Sequence, residues 1–271
     1  MPHLIGYFPG GAGGGARPDK ILSYTGNWQL FDDGSGNWRA KFYTSGTLEV
    51  KSTITVDAFA VGGGGNGGKY STHSGAGGGG GYTTTEAGII LMEGTYLVTI
   101  GAACGSSSLA RNDGTAICTA EGGVSGHMTT HNGYSTSAGG DGGSGGCPGG
   151  YANWNQGKPG SDGSDGTKGG YSSSLPGKGQ GTTTREFGEA TGELYSGGGG
   201  AGDVYYNNAY RGVAVPGADG GGGDGGTSSA APGNGEENTG GGGGGAARAS
   251  DNGGTGGSGI VIIRNARAVA A

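Results

Sequence analysis

The chain has 271 residues, of which 76 are glycine, while hydrophobic residues make up 31% and charged residues 13%. Glycine at about four times its usual share of ~7%, with so little aliphatic material, excludes an ordinary hydrophobic core in proportion to the length. A net charge of -6 argues against a nucleic-acid binder, which needs a basic surface.

Residues 1–20 read as a Gly/Pro-rich leader, either an attachment segment or an ordered tail. They lack the basic and apolar regions of a secretory signal, which predicts synthesis in the cytoplasm. From 21 to 103 the pattern is that of β-structure. ILSYTGNWQLFDD and NWRAKFYTSGTLEV flank the turn Asp33-Gly34-Ser35-Gly36, a hairpin signal. Trp38, Ala40 and Phe42 alternate with Arg39, Lys41 and Tyr43, the period of a half-buried strand. STITVDAFAV puts Ile54, Val56, Ala58 and Ala60 on one face, and Val61 runs straight into glycine. Two short strands are expected around Glu93-Gly94. The last strand falls within 256–271, where Ile260 to Ile263 form a continuous apolar run.

Between these ends, 104–255 reads as a glycine-rich domain with variable loops. Glycine runs at 62–65, 77–81, 197–200, 220–223 and 240–245 alternate with polar and aromatic inserts. Glycine spans pack in one way, as polyproline-II-like helices laid side by side, whose amides bond to neighbours because none is used internally. The expected fold class is therefore all-β: a small antiparallel, sandwich-like framework carrying polyglycine-II spans and long loops. A closed framework, with first and last strands paired, is expected to tie the spans down. No amphipathic helix is predicted. Composition alone would also suit disorder, but 13 Tyr, 5 Phe and 3 Trp favour an ordered chain. In Gly157–Gly170 glycine recurs every third residue, which suits a glycine-rich strand better than a collagen helix.

No catalytic constellation is found. The sequence has no GxSxG elbow, no HExxH and no helix to follow a phosphate-binding glycine loop, so a non-enzyme without cofactor is expected. His127 and His131 lie four apart in GHMTTHNGY, a segment expected to be a polar loop and not a metal site. The Asp-Gly pairs at 113, 141, 162, 165, 219 and 224 are expected in turns. Cys104, Cys118 and Cys147 match no zinc spacing and are expected as free thiols, with one late disulfide the alternative. No apolar run is long enough to span a bilayer.

FYTSGTLEV, ITVDAFAVGGGG, GGGGGYTTT, YLVTIGA and the closing GGTGGSGIVIIR occur in that order from Phe42 to Arg264. In this the chain resembles the glycine-rich tail proteins of phages and prophages. A looser likeness, of style only, is to the tip adhesins of T-even-like phages, whose polyglycine-II sandwich displays receptor-contacting loops. The sequence departs from the commoner pattern at VTIGAACGSSS and in the insert 104–138. The resemblance implies a virion protein of the tail or tail fibre that binds a bacterial surface glycan or protein and contacts other tail proteins. A homotrimer is the assembled form expected, with neither nucleic acid nor membrane as partner. Candidate receptor contacts are the aromatic residues of the inserts: Tyr70, His73, Tyr151, Trp154, Tyr171, Tyr195, Tyr205, Tyr206 and Tyr210. Rings of this kind stack on sugars; the alternative for each is to shield glycine backbone. Other readings are a purely structural virion component, an antifreeze-like glycine-rich protein, and a distant likeness to the glycine-rich ectodomain of anaplastic lymphoma kinase receptors.

Overall fold

The computed structural model of the protein describes residues 18–32, 36–69, 74–131, 134–147, 149, 184–203, 205–206, 209–210 and 214–266. After a single helical turn at Pro18–Ile21, the strands in chain order are β1 (Leu22–Tyr24), β2 (Trp28–Asp32), β3 (Trp38–Phe42), β4 (Gly46–Val50), β5 (Ile54–Val61), β6 (Thr83–Leu91) and β7 (Gly94–Thr99). They continue with β8 (Ser107–Arg111), β9 (Ala116–Ala120), β10 (His127–His131), β11 (Tyr134–Ala138), β12 (Tyr205–Tyr206), β13 (Ala209–Tyr210) and β14 (Ile260–Asn265).

Ten of these strands make two antiparallel five-stranded sheets, ordered β1-β4-β7-β8-β9 and β2-β3-β14-β5-β6. The expected all-β, sandwich-like framework is what forms. The predicted hairpin joins β2 to β3, with Asp32 opposite Trp38. Between the sheets lies one apolar core in which Phe42, Leu48, Val56, Ala58, Leu91, Leu109 and Val261 are fully buried. Ile54, Val56, Ala58 and Ala60 all face it, as their alternation requires.

One expectation is corrected. The framework is an open sandwich and not a closed one: β1 is an edge strand of the first sheet, while β14 is the centre of the second, between β3 and β5. The apolar run explains this placement. Val261 and Ile263 enter the main core while Ile260 and Ile262 enter a second core on the sheet's other side, so the strand must be covered on both faces. The two strands expected around Glu93-Gly94 do form, as β6 and β7, and because they belong to different sheets the chain crosses the sandwich between them.

The insert at 104–138 supplies β8 and β9, which complete the first sheet. His127 and His131 lie on a β10–β11 hairpin, with His131 opposite Tyr134, and not on the loop expected.

The thiols follow the packing. Cys104 is exposed, Cys118 and Cys147 are buried, and all three are free. Burial pushes the Cys118 and Cys147 thiols up to about 12. A thiol-specific reagent at mildly alkaline pH is therefore expected to titrate one cysteine in the native protein and three in denaturant; two or more fast thiols in the native state would contradict this burial.

Candidate functional site

Where the strands leave the sandwich, the chain changes from sheet to glycine. Val61 at the end of β5 passes into 62–68, and 75–82 leads back into β6. Thr99 and Ala120 lead into 100–106 and 121–126, and 253–259 delivers the chain to β14. All these junctions share one end of the sandwich, because Val61 pairs with both Thr83 and Ile260.

Beyond them the spans form a lattice. Backbone N–H groups of 75–82 donate in three directions, each repeated every third residue. Gly75, Gly78 and Gly81 donate to Ala246, Gly243 and Gly240. Gly77 and Gly80 donate to Cys147 and Ser144, and Gly79 and Tyr82 to Val124 and Glu121. The same span accepts from Gly62, Gly65 and Gly68, from Gly140 and Gly143, and from Gly199 and Gly202. It thus has six neighbouring segments. The span 240–247 has six as well: 62–68, 75–81, 197–200, 223–226, 233–235 and 254–258.

A three-residue helical repeat with no internal hydrogen bonds produces this pattern, and it satisfies the buried backbone groups that would otherwise be costly. At ~3.1 Å per residue the eight residues 75–82 cover roughly 25 Å. Only glycine fits. A Cβ on Gly77 would overlap the carbonyl oxygen of Gly199, one on Gly79 that of Asp141, and one on Gly81 that of Gly62.

On the outer span the threefold repeat becomes visible as exposure. Asn252 and Thr255 are exposed and Ser258 is half-buried, its hydroxyl accepting from Asn238 N–H, while the glycines between them pack against neighbouring spans. Polar side chains also stand in for absent neighbours. Asn66 Oδ1 accepts from Gly256 N–H at 3.0 Å, Asn234 Oδ1 from Thr255 N–H at 2.9 Å, and Asp224 Oδ1 from Gly217 N–H at 2.8 Å.

This lattice sorts the inserts by end. Gly68, Gly75, Gly126, Gly202, Gly226 and Ala246 are linked to one another or to adjacent residues at the end far from the sandwich. Gly149 lies against Gly75 there. The connections that leave from these residues are 69–74, the β10–β11 hairpin, the β12–β13 hairpin, 227–232 and 248–252; the chain also leaves this end after Gly149 and is next described at Thr184, on the sandwich. At the sandwich end are 102–105, 217–222 and 236–239, where Ser196 N–H donates to Thr239 O and Gly240 N–H to Ser258 O.

Of the nine candidate contacts, Tyr70, His73, Tyr151, Trp154 and Tyr171 lie outside the described residues. The flanks of Tyr70 and His73, Lys69 and Ser74, are at the far end. Tyr205, Tyr206 and Tyr210 are on the β12–β13 hairpin, where Tyr205 pairs with Tyr210, also carried at the far end. Tyr195 is different: it is 2% exposed and packs on Phe59 with ring centroids 5.5 Å apart. Its place is inside the protein, at the sandwich end, so in this chain its ring has no face to offer a receptor.

Tyr195 belongs to a strap, residues 184–196, laid over the outer face of the second sheet. The strap and sheet enclose the second core of Phe59, Val61, Phe187, Tyr195, Ile260 and Ile262. Around it runs a chain of ion pairs. Arg39 Nη1 meets Glu186 Oε1 at 2.6 Å, and Lys41 Nζ meets Glu186 Oε2 at 3.0 Å and Glu193 Oε2 at 2.5 Å. Arg264 meets Asp57 at 3.0 Å and Glu189 at 2.6 Å, with its guanidinium 4.0 Å above the Phe187 ring. Sequence alternation placed Lys41 on the solvent side of β3; the strap covers that side, and Lys41 is buried. Burial, reinforced by Glu186 and Glu193, pushes the Tyr195 phenol far above its ordinary value. The signal that could have identified the strap is the triplet Glu186, Glu189, Glu193, matched by the outward cations Arg39, Lys41 and Arg264.

Among the described residues no group of three or more His, Cys, Asp or Glu could hold a metal ion, and no helix is long and apolar enough to cross a membrane. The site the structure offers is a set of loops held in fixed relation at one end of a glycine bundle. A family model described as a glycine-rich domain matches residues 43–266. No curated protein matches the chain.

Proposed function

Given that the chain belongs to the glycine-rich domain family, we propose that it is a display scaffold of a bacteriophage tail or tail fibre, binding a bacterial surface glycan or protein through the loops at the far end of its bundle. The observation that carries this reading is the sorting of the inserts: the described flanks of the segment holding Tyr70 and His73, Gly149 just before Tyr151 and Trp154, and the β12–β13 hairpin with Tyr205, Tyr206 and Tyr210 sit at the end away from the sandwich. A lattice that admits inside it mostly glycine and a few small residues such as Ala76, Ser144 and Ala246 has little sequence freedom. The loops it carries have a great deal, and that division suits recognition of variable surfaces. Aromatic rings and small polar residues such as Ser and Asn supply contact at low entropic cost. Self-association as a homotrimer and attachment to other tail proteins through the sandwich end are part of the same proposal.

The test is binding of the purified protein to intact cells of candidate host bacteria, read by flow cytometry. The comparison is a variant with Trp154, Tyr205, Tyr206 and Tyr210 changed to Ser and an unchanged circular dichroism spectrum. Strain-selective binding that the variant loses is the expected result. Absence of binding to every strain, together with assembly onto tail proteins, would replace the reading by that of a structural virion component.

A further inference from the structure

We infer that residues 184–196 form an acid-released strap, clasped over the second sheet at neutral pH and detached in acid to uncover the apolar face of Phe59, Val61, Ile260 and Ile262. The attachment is mostly ionic. Only Phe187 and Tyr195 of the strap enter the second core. Glu186, Glu189 and Glu193 carry the rest, on Arg39 and Lys41 of β3 and Arg264 of β14. The remaining charged groups facing this contact are Asp57 on β5, paired with Arg264, and the strap's own Arg185, which donates to Gly192 O. The Tyr43 hydroxyl of β3 and the Tyr195 hydroxyl complete the set.

The direction of the pH effect follows from which groups titrate. The sheet contributes the cationic side chains of Arg39, Lys41 and Arg264. The strap contributes carboxylates. Although partial burial opposes it, the Lys41 ammonium and the Tyr195 hydroxyl hold the Glu193 carboxyl below its ordinary value of 4.5. A carboxyl lowered in the clasped state gives stability that is complete above the ordinary value and is lost as pH falls through the lowered one. Below that window Lys41 loses the Glu193 charge it pairs with at 2.5 Å, and the strap's hold on β3 weakens.

The strap's backbone favours two states instead of gradual loosening. Phe187 is held at φ +56°, a left-handed conformation that is strained for a bulky L-residue and relaxes on release. Gly188 and Ser196 also have positive φ, at +68° and +63°. The strap's internal bonds are few: Glu186 N–H to Glu193 O, Tyr195 N–H to Thr184 O, and the turns at Gly188, Glu189 and Gly192. Apart from Ser196 at its end, whose N–H donates to Thr239 O and whose hydroxyl donates to Gly81 O, the strap takes no part in the hydrogen bonds given above for the sandwich and the glycine lattice.

A glutamyl endoprotease active in both mild acid and neutral solution tests this, because the carboxylates that hold the strap are also its cleavage sites. At neutral pH the native chain is expected to resist cutting after Glu186 and Glu189. At about pH 4, near the ordinary carboxylate value, cutting at those positions is expected to rise at least tenfold. Cutting after Glu49, Glu86, Glu93 and Glu121 in the sandwich and its exits is expected to stay at its neutral-pH level. E193Q removes a largely exposed partner and should move the onset of strap cutting to higher pH with no change in the circular dichroism at neutral pH. Equal acceleration at all glutamates, which signals global unfolding, would overturn the inference. So would a strap that stays resistant in acid, or an onset unmoved in E193Q.

Discussion

Replacing Gly78 by alanine is expected to lower stability by about 3 kcal/mol or more, at the upper end of what over-packing costs, and to do so from a single methyl group. Gly78 donates to Gly243 and accepts from Gly199, and its Cβ would overlap the carbonyl groups of Gly65 and Asn66. In an ordinary core a new methyl pushes on side chains that can change rotamer. Here every atom it meets is backbone, locked by bonds to further spans, and relief requires the lattice to open. Gly243 is the corresponding test in the second six-neighbour span, since a Cβ there would overlap Gly254 O. Thr255→Ala is the control. Its side chain points to solvent on an outer span, and a change within ±0.5 kcal/mol is expected. Urea denaturation of the three variants, monitored by circular dichroism, decides the matter; a mild effect at both glycines would show a loose bundle.

Asp57→Ala is expected to cost about 3 kcal/mol, in the range for removing one partner of a buried ion pair. The Asp57 carboxylate accepts from Arg264 Nε at 3.0 Å and from Gly88 N–H at 3.0 Å, at the irregularity between Val56 and Ala58 where β5 and β6 shift register. Arg264, with 11% of its side chain exposed, would keep Glu189 and the Phe187 ring but lose its innermost anion. Gly88, at φ +67°, would lose the acceptor that fixes the bulge. Thermal unfolding of Asp57→Ala against Asp57→Asn separates the two roles, because the amide of Asn retains an acceptor for Gly88 while giving up the charge. Equal stability of Asp57→Ala and the native protein would remove the network from the account of the second core.

The β-framework was legible because its strands obey simple periods. Alternation in β3 and β5, the hairpin signal that joins β2 to β3, and the apolar run of β14 each mark an element that forms. What the periods do not carry is partner choice. The run Ile260–Ile263 announces a strand covered on both sides, yet nothing local says that its neighbours are β3 and β5 and not β1. β8 and β9 escaped notice because SSLAR and AICTA are short, rich in small residues and lie inside a glycine-rich context. They qualify as strands only through Leu109 and Cys118 reaching the core. The polyglycine-II arrangement followed from composition, since glycine runs admit few packed solutions. The register and the six-neighbour geometry depend on which spans lie adjacent, and identical residues carry no such information. For the candidate contacts, residue type could say that aromatic rings stand in inserts, but not that Tyr195 lies at the sandwich end, beneath Lys41 and against Phe59. That placement depends on the strap, whose charges only gain meaning once the outer face of the second sheet is known.

The account rests on the glycine spans forming a cooperative core that fixes the loop end relative to the sandwich. Amide hydrogen exchange of the full chain at neutral pH measures this directly. The amides of Gly77–Gly81 and Gly242–Gly245, each bonded to a different span, are expected to exchange as slowly as those of β5 and β14, because the spans and the sandwich open together. Exchange of these glycine amides at the rate of an unstructured chain, while β5 and β14 remain protected, would contradict the lattice and with it the fixed display of the loops.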